Sequence, residues 1–90
     1  MKEKRDRMRI IYDILQAIMD KRGRIKPTHL LYKSNLSHGR LVHYADDLVA
    51  KGFIRKDFDH ESKFYVITDK GLQFIAEYRR MREFTESFGL

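Results

Sequence analysis

The run from Ile25 to Ile54, IKPTHLLYKSNLSHGRLVHYADDLVAKGFI, leaves this chain few ways to fold. Pro27 suits the first turn of a helix, where its missing N–H costs nothing. That helix reaches about Lys33 and buries Leu30, with Leu31 at its margin. Ser34 and Asn35 end it, because both side chains compete for backbone hydrogen bonds. Leu36 is placed to plug the turn into a core. Ser37 is a good N-cap for a second helix. Leu41, Ala45, Leu48 and Val49 give this helix a core face, with Tyr44 at its edge. Gly52 closes it, and Lys51 suits the dipole at its end. Two short helices joined by a tight turn are the result.

The flanks complete the architecture. Upstream, Ile10, Ile11, Ile14, Leu15 and Ile18 fall at helical offsets. Arg22-Gly23 ends that helix, and Arg24-Ile25-Lys26 has room for no more than a one-bridge strand. Downstream, Phe53–Phe58 and Lys63–Ile67 read as strands joined by Asp59-His60-Glu61-Ser62. Thr68 caps a last helix from Asp69 to about Ser87, with Leu72 and Ile75 facing the domain. Helix, helix, helix, hairpin, helix is a mainly α fold with a small β-hairpin (α+β), the winged helix-turn-helix. The expected organisation is one domain over 1–90. Its parts are a basic lead-in (1–9), a core (10–68) and a C-terminal dimerisation helix (69–90).

Charge narrows the partner. The 90 residues carry a net charge of +6. Lys21, Arg22, Arg24, Lys26, Lys33 and Arg40 lie in one 20-residue stretch without an acid. A helix-turn-helix holding the basic charge is suited to a polyanion. The absence of cysteine removes disulfides and thiolate sites. No segment approaches the roughly 20 apolar residues that span a bilayer, and the N-terminus lacks the apolar run of a signal peptide. These features suggest a soluble, cytoplasmic protein with no membrane partner.

The runs LSHGRLVHYADDLVAKGFI and FYVITDKGLQFIAEY resemble the small archaeal winged-helix proteins of the Sso10a type. The features that carry the resemblance are Leu36-Ser37, Tyr44, Leu48, Lys51-Gly52-Phe53-Ile54, Tyr65, Ile67-Thr68, Lys70-Gly71, Phe74 and Tyr78. They span about Ile10 to Arg82. The resemblance implies DNA binding, homodimerisation through the C-terminal helix and a regulatory or chromatin role. The best-known members end in a long helix that forms an antiparallel coiled coil. Here about five turns follow Thr68, and a compact dimer is expected instead.

The residues then divide into candidate sites. The early, outward positions of the third helix are His38, Gly39, Arg40 and His43, and Ser37 at its N-cap is a DNA-binding candidate beside them. Arg40 suits bidentate contact with guanine, and the histidines suit phosphates or bases. Thr28, at a helix N-terminus between Lys26 and Lys33, suits phosphate. Arg55, Lys56 and Lys63 would bring the wing to the backbone or minor groove. The acids at its tip, Asp57, Asp59 and Glu61, argue against deep insertion, and Asp46 and Asp47 would repel phosphate. The aromatics Phe53, Phe58, Phe64 and Tyr65 read as core. Phe74, Tyr78, Met81 and Phe88, flanked by Phe84, form an apolar stripe. It serves as a homodimer seam or folds back on the first helix. The basic lead-in is either a DNA arm or a solvated helix face, the latter favoured. His29, His38, His43 and His60 share no face, so neither metal nor cofactor is expected. No catalytic constellation and no phosphate-binding loop appear. Two functions remain: a double-stranded DNA-binding homodimer acting as transcriptional regulator or nucleoid protein, or a protein-interaction adaptor.

Overall fold

A computed structural model describes residues 5–90, so Met1–Lys4 of the basic lead-in lie outside the described residues. Four helices and three strands follow in order: α1 (Arg7–Asp20), β1 (Arg24–Ile25), α2 (Pro27–Ser34), α3 (His38–Ala50), β2 (Ile54–Asp59), β3 (Ser62–Ile67) and α4 (Asp69–Ser87). This is the winged-helix fold.

Helix α1 begins within the expected lead-in, because the Asp6 carboxylate accepts from the Arg9 amide at 2.8 Å and so satisfies one of the amides a helix start leaves open. Its apolar face, Ile10, Ile14, Leu15 and Ile18, is the centre of the core. The basic residues on its other faces hold acids: Arg5 and Arg9 grip Asp13 at 2.9 and 3.0 Å, and Arg7 reaches Asp47 of α3 at 2.8 Å. The described part of the lead-in is thus helix surface with its charge engaged.

Leu30, Leu36, Leu41, Ala45 and Leu48 close over α1 from the two helices of the turn. Burying one such leucine contributes about 1.5–3 kcal/mol. Asn35 takes a left-handed φ of 55° between α2 and the turn, a conformation asparagine tolerates. Strand β1 exceeds a single bridge: Arg24 pairs with Val66 and Ile25 with Tyr65. The sheet is therefore three-stranded and antiparallel, in the order β1-β3-β2. The hairpin strands extend to Asp59 and Ser62, which pair, leaving only His60 and Glu61 in the turn.

Helix α4 is anchored at its start. Thr68 Oγ1 accepts from the Gly71 amide at 3.2 Å and points its proton at the carbonyls of Gly52 and Phe53. Lys70 Nζ donates to the Lys51 carbonyl at the end of α3 at 2.7 Å. Gly71 lies so close to Phe53 that an added Cβ would stand 2.4 Å from its carbonyl oxygen. Ile75 is buried as expected, whereas Leu72 is 41% exposed. The close Gly71 contact rotates α4 so that Gly71, Phe74 and Ile75, rather than Leu72, meet the domain.

Candidate nucleic-acid interface

Two helix N-termini and one strand meet at a cleft lined by Pro27, Thr28, Leu31, His38, Val42 and Tyr65. The start of α2 has no side-chain cap, so its first amides stay open to an anion. At the start of α3, Ser37 Oγ accepts from the Arg40 amide at 3.3 Å, leaving the two preceding amides exposed. Thr28, Ser37 and His38 are thereby brought together on one side of the molecule.

Helix α3 turns about 100° per residue. With Leu41, Ala45 and Leu48 against the core, Gly39, His43 and Asp46 point directly away. His38 and Val42 lie on the flank toward the cleft. Arg40 lies on the opposite flank, beside Asp47. The phosphate-repelling role expected for Asp47 does not fit its surroundings: Lys51 and Arg7 reach its carboxylate at 3.0 and 2.8 Å. The hydrogen bond from Lys51, then the charges of Lys51 and Arg7, hold this carboxyl below its ordinary range. Asp46 remains exposed and unpaired among the described residues.

The wing has two unlike faces, because side chains alternate along a strand and cross-strand partners share a face. The pairs Lys56–Tyr65 and Phe58–Lys63 occupy the face that begins with Ile54 and Ile67. Lys63 Nζ stands 5.0 Å over the Tyr65 ring, so this face runs directly into the cleft. The pairs Arg55–Val66 and Asp57–Phe64 occupy the reverse face. There Arg24 stacks 3.6 Å from the Phe64 ring centroid and reaches Asp57 and Asp59 at 3.6 and 3.9 Å. Lys26 Nζ also leans toward Phe64. The structure therefore gathers Thr28, Ser37, His38, Lys56 and Lys63, sets His43 on the outward face of α3 and Arg40 on its far flank, and separates Arg55 and Lys26 onto the other side of the sheet. Lys33, at the far end of α2, is exposed.

Ion pairing sorts the cations. Arg5, Arg7, Arg9, Arg80 and Arg82, all on or beside α1 and α4, hold carboxylates. Lys26, Lys33, Arg40, Arg55, Lys56 and Lys63 have no acid partner among the described residues. Among the described residues, Lys21 and Arg22 after α1 also lack an acid, Lys70 and Arg79 of α4 donate to neutral oxygens, Arg24 holds Asp57 and Asp59, and Lys51 holds Asp47.

Three side chains with no surface role expected from the sequence are exposed. Val42 is 39% exposed, outside the Leu41–Ala45–Leu48 stripe. Phe58, expected in the core, is 66% exposed; its place beyond Lys56 in the alternation is the available signal. Tyr32 is almost fully exposed on α2.

The apolar stripe of α4 divides. Tyr78 stacks on Tyr12 of α1 at 4.6 Å, and Phe74 meets Phe53 edge-on at 5.8 Å. Arg79 fastens the same contact through Tyr12 Oη and Gln16. Met81, Phe84 and Phe88 remain exposed, Phe84 and Phe88 in mutual contact. Met8 joins Phe74, Tyr78 and Met81 around an apolar groove between α1 and α4. Among the described residues, no group of three or more His, Asp or Glu is placed to hold a metal, and no helix is long and apolar enough to cross a membrane.

A helix-turn-helix followed by a two-stranded wing, with its unpaired cations around both, defines a winged helix-turn-helix protein. The profile of the winged helix-turn-helix family matches residues 4–86, and the chain belongs to that family. Among solved structures it is similar to Sso10a-2, a DNA-binding protein from Sulfolobus solfataricus, with 27% identity over 94% of this chain and 90% of that one, at a TM-score of 0.75. It shares its fold with F93 from STIV, a winged-helix DNA-binding protein (21% identity, 89% and 92% of the two chains, TM-score 0.73). TubR of Bacillus thuringiensis serovar israelensis pBtoxis, solved bound to 24 bp of tubC, has the same fold (18% identity, 81% and 82%, TM-score 0.71). No curated protein matches the sequence.

Proposed function

We infer that this protein binds double-stranded DNA as a homodimer and acts as a transcriptional regulator or nucleoid-associated protein of the Sso10a type. The observation that carries the reading is the set of open cations: those of α2, the first turn of α3 and the wing lack carboxylate partners, whereas Arg7 and Arg9 of α1 and Arg80 and Arg82 of α4 hold acids. Unpaired Lys and Arg beside two open helix N-termini suit a phosphate backbone, whose contacts release counterions. The similarity to Sso10a-2, a DNA-binding protein, supports the same reading.

In this arrangement α3 enters the major groove, with Gly39, Arg40 and His43 toward base edges and Val42 toward a thymine methyl. Thr28 and Ser37 meet phosphate at the two helix starts, and Lys56 and Lys63 follow the backbone or minor groove. Residues 1–90 act as one domain in which 69–90 supply the dimer seam. That seam consists of Met81, Phe84 and Phe88, with the exposed edges of Phe74 and Tyr78. It is an isologous surface of the kind that two-fold pairing requires. A cytoplasmic, nucleoid-associated location and a non-enzymatic role accompany this reading.

The test is fluorescence anisotropy against mixed-sequence duplex DNA across a salt series, with wild type and Arg40→Ala. Binding that weakens steeply with salt, and weakens further in Arg40→Ala, is the expected result. No binding at low salt to mixed-sequence or selected duplexes would reject the reading in favour of an adaptor, which the exposed Phe84 and Phe88 would then serve.

A further inference from the structure

We propose that Phe58 is a wedge that enters the minor groove beneath the wing and bends the duplex. The inference rests on the DNA-binding reading and adds to it a deformation of the DNA. Four observations carry it.

Phe58 is the large apolar side chain left out of the domain's packing at the end of the hairpin. It is 66% exposed, while Phe53 and Phe64 are half-buried and Tyr65 is buried. Its position is set by register: all six residues of β2 pair with β3, and Phe58 lies opposite Lys63 one step before Asp59 and Ser62 close the strands. The ring is thus carried near the tip of a six-pair antiparallel ribbon.

Charge complementarity selects the occupant. Lys56 and Lys63 share the face of Phe58, so an approaching surface meets two unpaired cations around an aromatic ring. Asp57 and Asp59 project from the other face, where Arg24 compensates them. Of the acids that argued against insertion, Glu61 alone stays in the turn, next to His60. An apolar ring between lysines fits a polyanion with an apolar interior, which describes a base stack between phosphates.

The Phe58 face continues through Lys63 and Tyr65 into the cleft of Thr28, His38 and Val42. The ring therefore lies on the side of the molecule that presents α3. With α3 in a major groove, the wing falls on the neighbouring minor groove. Apolar side chains inserted there unstack a base step and bend the duplex by roughly 20–90°.

The experiment uses the full chain and a mixed-sequence duplex carrying a fluorescent donor and acceptor at its two ends, with 2-aminopurine at central positions. Wild type, Phe58→Ala and Phe58→Leu are compared at saturation and low salt. Wild type is expected to raise end-to-end energy transfer and brighten 2-aminopurine as the step unstacks. Phe58→Leu should keep most of both signals, since leucine also wedges. Phe58→Ala should bind about ten-fold more weakly, within the range that loss of base–aromatic stacking gives, and leave the duplex straight. Phe58 is exposed, so neither variant should unfold. Wild-type binding without a change in transfer, or bending retained by Phe58→Ala, would overturn the wedge and leave DNA binding standing. No binding by any of the three would overturn both.

Discussion

Lys56→Ala and Arg55→Ala change neighbouring residues of the same charge, yet the pleat of β2 places them on opposite faces of the wing. Lys56 shares its face with Tyr65 and Lys63, toward the α2–α3 cleft, while Arg55 shares the reverse face with Val66 and, across the sheet, Arg24. Each phosphate neutralised contributes about 0.9 to the slope of log K against log salt. Removing Lys56 should therefore flatten that slope by about 0.9 per engaged protomer. Across a four-fold rise in salt, the contact is worth a change in affinity of roughly 3.5-fold, because 4 raised to the power 0.9 is about 3.5. Arg55→Ala removes the same net charge from the far face and should leave the slope within error of wild type. Neither residue has a carboxylate partner among the described residues, so the comparison is not confounded by a lost ion pair. Anisotropy titrations of the three proteins on one duplex, at four or more salt concentrations, give the slopes. Equal flattening by both substitutions, or a larger effect of Arg55→Ala, would refute the assignment of the DNA-facing side.

Further predictions follow from the same contacts. Gly71→Ala places a Cβ against the Phe53 carbonyl and Ile67 and should cost about 1–3 kcal/mol as overpacking. Thermal unfolding should register this as a fall of roughly 4–8 °C per kcal/mol, and an unchanged midpoint would remove the close approach as an explanation for how α4 sits. Phe84→Asp should weaken self-association about ten-fold or more by setting an unpaired carboxylate in the seam, read by sedimentation equilibrium; an unaltered dimer would exclude this face. Asp47 is held below its ordinary pKa of 3.8 by Lys51 and Arg7. A carboxyl depressed in the folded state contributes stability that is complete above its unfolded value and fades as pH falls below it through the folded value. Asp47→Asn should therefore lose a little stability at neutral pH and show a shallower loss below pH 3.8; an acid limb identical to wild type would contradict the linkage.

Much of the fold was legible because it is written in local signals. The α1 stripe, the Pro27 start, the Ser37 and Thr68 caps and the Gly52 closure each depend on residues within a turn or two of one another. The elements they predict stand within a few residues of the observed ones. Leu72, expected to face the domain, is exposed because the rotation of α4 depends on how closely Gly71 approaches Phe53, a contact between segments 18 positions apart in sequence. The candidate site was half legible. The cations around the turn could be read as a group, but charge type does not reveal which of them are engaged elsewhere.

Sequence alone determined the order of elements, the helix-turn-helix and the concentration of positive charge near it, since periodicity, capping and turn chemistry act over a few residues. Tertiary structure decided which way each charge and ring points. Asp47 is occupied by Arg7 from 40 positions away, and Arg24 meets the wing acids only once β1 joins the sheet. Tyr78 is drawn onto Tyr12, dividing the stripe of α4 into a packed half and an open half. The two faces of the wing differ because register, a property of the paired strands, puts Lys56, Phe58 and Lys63 together and sends Arg55 to the other side.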